Sequence, residues 1–325
     1  MRYDLTSMGF FTFDCLGRPV SDLPPGGGTY FIDEITLAVS GAAGSASIAA
    51  SRYGLKTLAV GGVGNDLMGD WVLQRLAHFG VDTSTMQRCP GAGTSSSIVT
   101  TRPNGDRPAL HMKGATAHFE VTEAMRDQVL DCRVLLLGGV GLMDRMDGTP
   151  NVELFREAKR RGCITLLDVF ASRPEDLHLI EGLMPYTDYF LPSIEEAAAL
   201  SGKQQHEEIA AFFLDRGVGC VTLTMGAQGA YYHHADGTRF HQPPFGVEVV
   251  CTCGCGDVFN AGFAAGLCHG LDAQDTVRFA QATSALNATG LGSQAGVQSY
   301  AHTLEIMNNW PVRTPPTSAT STLET

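Results

Sequence analysis

Short apolar runs that do not alternate with polar residues recur along this chain, and they restrict its architecture more than any other feature. They fall at 58–60, 134–137, 164–169, 189–191, 221–224 and 247–250. A strand with apolar side chains on both faces must be covered on both, which is the situation of a parallel sheet between helices. The intervening sequence is helical in pattern. At 66–79, for example, Met68, Val72, Leu76 and Phe79 share one face. The spacing predicts one α/β domain with a central, mostly parallel sheet, and 325 residues are enough for its core.

Two segments break the rhythm. Residues 94–112 hold Asn104-Gly105 between β-branched and threonine-rich flanks, a hairpin signal. Residues 12–39 hold Pro24-Pro25-Gly26-Gly27-Gly28 and then an extended stretch from 29 to 39. The two read either as a small β-lid or as two ornate surface loops. The domain is expected over 1–310, with a Pro-, Ser- and Thr-rich tail at 311–325 expected to be disordered. The net charge of −12 argues against nucleic acid or an anionic membrane surface as partner. No run is long and apolar enough to span a bilayer, and the first residues lack the pattern of a signal peptide. Nine cysteines, an odd number scattered widely, fit reduced thiols and a cytoplasmic location. Glycine is in excess, 38 residues, which suggests turns where backbone approaches something closely.

The richest stretch is Val249-Val250-Cys251-Thr252-Cys253-Gly254-Cys255-Gly256-Asp257-Val258-Phe259-Asn260-Ala261-Gly262. It reads as a strand, a small-residue turn and a helix from about Asp257, so backbone N–H groups and a helix dipole converge on an anion site. Asp257 at its mouth is either a helix N-cap or a general base beside a transferring phosphoryl group. A dinucleotide fingerprint lacks its third glycine, and a Walker A loop is absent, since Gln204 follows Ser201-Gly202-Lys203. The Cys-x-Cys-x-Cys run lacks the spacing of zinc ligands.

This stretch resembles the D-T-x-G-A-G-D signature of the ribokinase-like (PfkB) carbohydrate kinases, and the resemblance extends over about residues 3–300. It implies a three-layer α/β/α fold with a small β-lid at 12–39 and 94–112. It also implies an ATP- and Mg²⁺-dependent kinase acting on a hydroxyl of a small sugar or sugar acid. Asp257 then takes the role of base, with Gly254, Cys255 and Gly256 forming the anion hole. Asp14, Gly41 and Ser45 inherit contacts to the sugar, from the first strand and a Gly-Gly-Asn-like signature at Ser40-Gly41 and Ser45. Ser193-Ile194-Glu195-Glu196 resembles N-x-x-E, so Glu196, with Asp168, is assigned to Mg²⁺ and Ser193 to the nucleotide side. Thr224-Met225-Gly226-Ala227-Gln228-Gly229 resembles the T-x-G-x-x-G loop, which assigns Thr224, Gly226 and Gly229 to ATP. The helix from Arg278 brings Gln281 to the same end. Lys113, after the hairpin, either meets the substrate or is a solvated surface lysine.

Four signature positions depart from the family pattern. Cys251 stands where an aspartate is usual and Cys255 where alanine is, while Ser45 and Ser193 stand where asparagine is. Without the carboxylate at Cys251, activation by K⁺ or another monovalent cation is expected to be weak or absent. Two other functions stay open: a nucleoside kinase, using Phe10, Phe11, Phe13 or Tyr30 against a base, and a non-catalytic binder of nucleotide or sugar. Unpaired lid edges suggest a homodimer through the lid. Cys255, at a helix N-terminus, is expected to be a reactive thiolate or else a small filler with its sulfur turned away.

Overall fold

The computed structural model describes residues 1–170 and 173–313. In chain order the strands are β1 (Tyr3–Gly9), β2 (Thr12–Arg18), β3 (Glu34–Ser40), β4 (Thr57–Val60), β5 (Gly62–Val63), β6 (Gln87–Arg88), β7 (Ser96–Thr100) and β8 (Ala109–Met112). They continue with β9 (Cys132–Val140), β10 (Ile164–Val169), β11 (Tyr189–Phe190), β12 (Cys220–Thr224), β13 (Ala230–His234) and β14 (Arg239–Gln242). The helices are α1 (Ala42–Arg52), α2 (Leu67–His78), α3 (Glu123–Val129), α4 (Thr149–Arg160), α5 (Ile194–Ser201), α6 (His206–Leu214), α7 (Cys255–His269), α8 (Ala273–Ala288) and α9 (Tyr300–Asn309).

Eight strands form the central sheet in the order β14-β13-β12-β11-β10-β9-β1-β4. All neighbours from β12 to β4 are parallel, and β13 and β14 are added antiparallel at one edge. The apolar runs are explained by their two sides. In β9, Leu135 and Leu137 point into one core with Leu154 and Phe155 of α4 and Phe213 of α6. Val134 and Leu136 point into a second core with α1, α7 and α8. Each fully buried Leu or Phe contributes about 1.5–3 kcal/mol of transfer free energy, so strands populated on both faces drive the three-layer arrangement.

A separate four-stranded sheet, ordered β3-β2-β7-β8, is built from the two segments that broke the sequence rhythm. The β7–β8 pair is antiparallel, with Gly105 at the tip of the loop between its strands. Both faces of this sheet carry apolar residues. Leu16, Ala38 and Val99 turn inward onto Cys251 and Cys253. Ile35, Leu37, Ile98, Leu110 and Met112 turn outward and are exposed.

The expected strand at 247–250 does not form. Pro243 and Pro244 supply no N–H donors to continue the ladder. Further on, Val250 N and Cys251 N both donate to Ala288 O, at the end of α8, instead of to a strand. This irregular run returns the chain from the sheet edge to the start of α7. That helix then packs so tightly on α8 that a Cβ at Gly262 would lie 2.6 Å from Thr283 Oγ1. Close packing of this kind fixes where the α7 N-terminus sits. No helix among the described residues is long and apolar enough to cross a membrane. The tail expected at 311–325 lies outside the described residues from 314 onward.

Candidate active site

The α7 N-terminus is made by Gly254, the N-cap, in a left-handed conformation (φ 72°). A Cβ there would lie 2.4 Å from Ser293 Oγ, so glycine is required on both counts. Cys255 and Gly256 open the helix; Cys255 N donates to Thr252 O at 3.3 Å, and Gly256 N has no earlier helical carbonyl to bond. Nothing lies within 4 Å of a Cβ built on Gly256, so this end of the helix is open to a ligand.

Asp257 is the third helical residue, and α7 has no side-chain cap bond. That removes the N-cap reading. Burial pushes its carboxyl above the ordinary carboxylate range, with Ser45 and Arg107 opposing the rise and Asp14 adding to it. The Ser45 hydroxyl is buried, faces Asp257, and has no hydrogen-bond partner of normal geometry. Asp14, on β2, is 4 % exposed and accepts from Thr12 Oγ1 at 3.0 Å. Burial raises it too, while the Ser97, Ser40 and Thr12 hydroxyls pull it back. Gly41, the N-cap of α1 at φ 82°, lets the chain pass Phe10, whose carbonyl a Cβ would meet at 2.5 Å.

On the other side of Asp257 stand Asp168, at the end of β10, and Glu196, in α5. Burial, then Glu196 and Asp257, hold Asp168 well above the usual range. Its Oδ1 accepts from Val169 N at 2.9 Å. Glu196 is raised by burial and by Asp257 and Glu195, against Ser193. Ser193 and Glu196 form a capping box: Ser193 N and Oγ donate to Glu196 Oε2 at 3.0 and 2.7 Å, and Glu196 N donates to Ser193 Oγ at 3.2 Å. Ser193 also bridges in parallel to Thr224, at the end of β12, which joins these two motifs. Gly226 and Gly229 follow in a tight loop. Gln281 is buried in α8, in the layer behind α7.

Asp168 and Glu196 are hard oxygen donors short of positive charge, which suits Mg²⁺. Among the described residues no group of three or more His, Cys, Asp or Glu could hold a metal unaided. Two carboxylates completed by water and phosphate oxygens agree with both facts. A monovalent cation finds less. Cys251 supplies no carboxylate, and Cys253 O already accepts from Asn287 Nδ2 at 2.7 Å.

Lys113 is not gathered into this cluster; it pairs with Asp144 at the surface. The Cys255 sulfur turns to α8, toward Ser284 O at 3.6 Å and Asn287 Nδ2 at 3.3 Å, and burial pushes its thiol up. The expectation of a thiolate gives way to that of a filler, because desolvation outweighs the helix dipole here. Phe279 packs on Tyr53 and Tyr300 in the core. Two cleft residues escaped sequence reasoning. His111 on β8 faces Asp14, stands edge-on to Phe10 at 5.1 Å and has Nδ1 3.1 Å from Ser97 Oγ. Arg107, near the tip of the β7–β8 loop, faces Asp257 and the cysteines of the turn. Their only sequence signal is that both lie within the hairpin.

A doubly covered parallel sheet with a small sheet set over the open end of a helix defines the architecture of a small-molecule kinase. Comparison with known proteins gives the family. The model described as pfkB family carbohydrate kinase matches residues 16–299, and the chain belongs to that family. A ribokinase of Haemophilus influenzae is 26 % identical over 318 residues, 95 % of this chain and 100 % of that protein. A 2-dehydro-3-deoxygluconokinase of Bacillus subtilis is 26 % identical over 283 residues, covering 83 % of this chain and 87 % of its own length. The structure of Arabidopsis thaliana ribokinase complexed with ribose and ATP superposes with a TM-score of 0.80 at 20 % identity, covering 94 % of this chain and 99 % of that one. The fold is ribokinase-like, and the chain is a phosphotransferase with an alcohol group as acceptor.

Proposed function

We propose that this protein transfers the γ-phosphate of ATP to a hydroxyl of a small sugar or sugar acid, with Mg²⁺. The observation that carries the reading is the position of Asp257. It lies at the open N-terminus of α7, between Asp14 and Ser45 on one side and Asp168 and Glu196 on the other. The acceptor sits against Asp14, Gly41 and Ser45, and its hydroxyl proton goes to Asp257. The N–H groups of Gly254 and Gly256 meet the charge on the transferring group, while Cys255 N, assigned from sequence to the same hole, is engaged by Thr252 O. Asp168 and Glu196 would hold Mg²⁺ through its waters, and the ion would neutralise phosphate charge. Thr224, Gly226, Gly229, Ser193 and Gln281 form the nucleotide side. The small sheet acts as a lid that excludes water from the acceptor. A coupled assay of ADP release across sugars, sugar acids and nucleosides tests this. Turnover confined to nucleosides, or ATP binding without acceptor-dependent turnover, would overturn it.

A sugar-sized acceptor is favoured over a nucleoside by the aromatic residues. Phe11 is in the core, Phe13 packs on Trp71 at 5.1 Å, and Tyr30 lies on the outer side of the small sheet. Of the four candidates, only Phe10 is left beside the acceptor site. The outer side of that sheet is a surface for a second copy of the chain. It has a cavity of about 540 Å³ lined by Val20, Leu23, Tyr30, Ile35 and Ile98, and Phe31 beside it is 98 % exposed. Apolar surface of this extent on a strand-edged sheet calls for a partner, and a two-fold dimer would bury each copy's Phe31 against the other's sheet.

A further inference from the structure

The loop joining β7 and β8, residues 101–108, does not end in solvent. It bends onto the turn that leads into α7. Thr252 donates to Gly105 O through its backbone N at 3.4 Å and through Oγ1 at 3.3 Å. A Cβ at Gly105 would lie 2.8 Å from Val249 Cγ1, so loop and turn are in direct contact. Two residues further on is Arg107. The residue as a whole is exposed, and the charged or chargeable groups that act on its guanidinium are those of the turn, Asp257 with Cys253, Cys255 and Cys251. Those groups outweigh the effect of burial and hold the guanidinium above its ordinary pKa. Among the described residues it forms no ion pair within 4.0 Å and no hydrogen bond, so its donors are uncommitted.

A guanidinium favoured in its charged form beside Asp257, yet bonded to none of the described residues, keeps its donors free for an anion that enters the site. The anion's place is set by what Arg107 faces. Its neighbours belong to the α7 turn, whereas the positively chargeable group facing Asp14 is His111. Arg107 is therefore aimed at the end of the site where phosphate passes, and not at the end where acceptor hydroxyls are read. The open side of Gly256 adjoins the same space from the helix N-terminus. A planar fork of donors opposite a helix N-terminus encloses a phosphoryl group from two sides.

We propose that Arg107 is a catalytic residue carried on the lid hairpin, which binds the phosphoryl group in transit opposite the α7 N-terminus. This rests on the kinase reading above. The acceptor O–H gives its proton to the Asp257 carboxylate, and an oxygen electron pair forms the new O–P bond. The bond from phosphorus to the bridging oxygen of ADP breaks, with its electron pair left on ADP. Arg107 keeps all its protons and offsets the charge spread over the three equatorial oxygens. The bonds from Thr252 to Gly105 hold the loop that carries Arg107 against the turn, so lid docking and completion of the anion hole are linked.

The test compares wild type, Arg107→Ala and Arg107→Lys by steady-state kinetics and by calorimetry. The calorimetric ligands are Mg²⁺–ADP alone and Mg²⁺–ADP with aluminium fluoride, a mimic of the transferring group. Arg107→Ala should lower kcat by about 10²–10³, leave KM for the acceptor within about threefold, and bind ADP as wild type does. It should also lose most of the extra affinity that fluoride confers. Arg107→Lys should recover only part of both, since it restores charge without the fork. A rise in acceptor KM at unchanged kcat would show that Arg107 reads the acceptor instead. Wild-type kinetics and fluoride affinity in Arg107→Ala would show a solvated side chain. Either result overturns the proposal. Failure of the kinase reading is a separate outcome, absence of acceptor-dependent turnover in the wild type, and the fluoride measurement still decides for Arg107 because it needs no turnover.

Discussion

At the scale of single residues, Asp257 carries the sharpest consequence. It makes no cap bond, so Asp257→Asn removes no capping contact from α7. The variant should keep its fold and its ATP affinity while kcat falls by about 10²–10⁴, the contribution of a positioned base. Near-wild-type turnover would dismiss the mechanism. Burial raises its pKa, so the acid limb of the kcat/KM profile should lie above the ordinary aspartate value of 3.8. Asp168 gives a second, opposite-looking effect. A carboxyl whose folded pKa is raised favours the folded state most at low pH and weakens it as pH rises through that pKa, because the native state then holds more protons than the unfolded one. Above the ordinary aspartate pKa, and without Mg²⁺, this buried carboxyl destabilises the fold. Asp168→Asn should therefore raise the Tm of the nucleotide-free protein, by about 2–4 °C for each kcal/mol relieved, and also raise the Mg²⁺ concentration needed for half activity. A lowered Tm together with an unchanged Mg²⁺ requirement would show that Asp168 is a structural acceptor for Val169 N and nothing more.

At the scale of elements, the small sheet yields a test of the dimer. Cys15 lines its outer cavity and is half-exposed, whereas Cys255 is turned to α8. If two copies join through this face, an alkylating agent should modify Cys15 slowly in the wild type and at least several-fold faster in Phe31→Asp, which should also elute as a monomer. Equal rates and equal elution volumes would exclude that interface. The same elements show what sequence can reveal. The covered strands were legible because apolar residues on both faces of 134–137 or 164–169 permit little else. The carboxylates around α7 were legible only through the resemblance of their motifs to the family's, since spacing alone left Asp257 open between cap and base. The run at 247–250 misled because Val247, Val249 and Val250 favour strands, while the backbone bonds of this segment go to the end of α8, more than thirty residues away. Arg107 and His111 were illegible for a related reason. Nothing local marks one arginine or one histidine in a hairpin, and their meaning arises only when β8 brings His111 against Phe10 between β1 and β2 and the loop meets Thr252.

For the whole molecule, the decisive feature is how the small sheet is attached to the three-layer body. The junction is apolar: Leu16, Ala38 and Val99 from the sheet close on Cys251 and Cys253 from the turn. Cys251 is fully buried, its sulfur accepting from Cys253 N at 3.4 Å and lying 3.6 Å from Thr101 Oγ1. A carboxylate here would be a charge between the lid and the anion hole, and would draw Arg107 away from that hole or need a metal cation to offset it. With cysteine, the junction needs none, and the turn is tied down instead by Asn287 on Cys253 O. Replacing Na⁺ by K⁺ at fixed ionic strength should therefore leave kcat within about twofold, a change of under ~0.5 kcal/mol in barrier. The converse substitution tests the same argument from the other direction. Cys251→Asp should lower the Tm in Na⁺, as a buried charge offset only in part by Arg107 does, and K⁺ should return part of the lost Tm if carbonyl oxygens of the turn can still gather around a cation. Strong K⁺ activation of the wild type would show that those carbonyls suffice without a carboxylate, and that the thiol at 251 does not set the ion requirement.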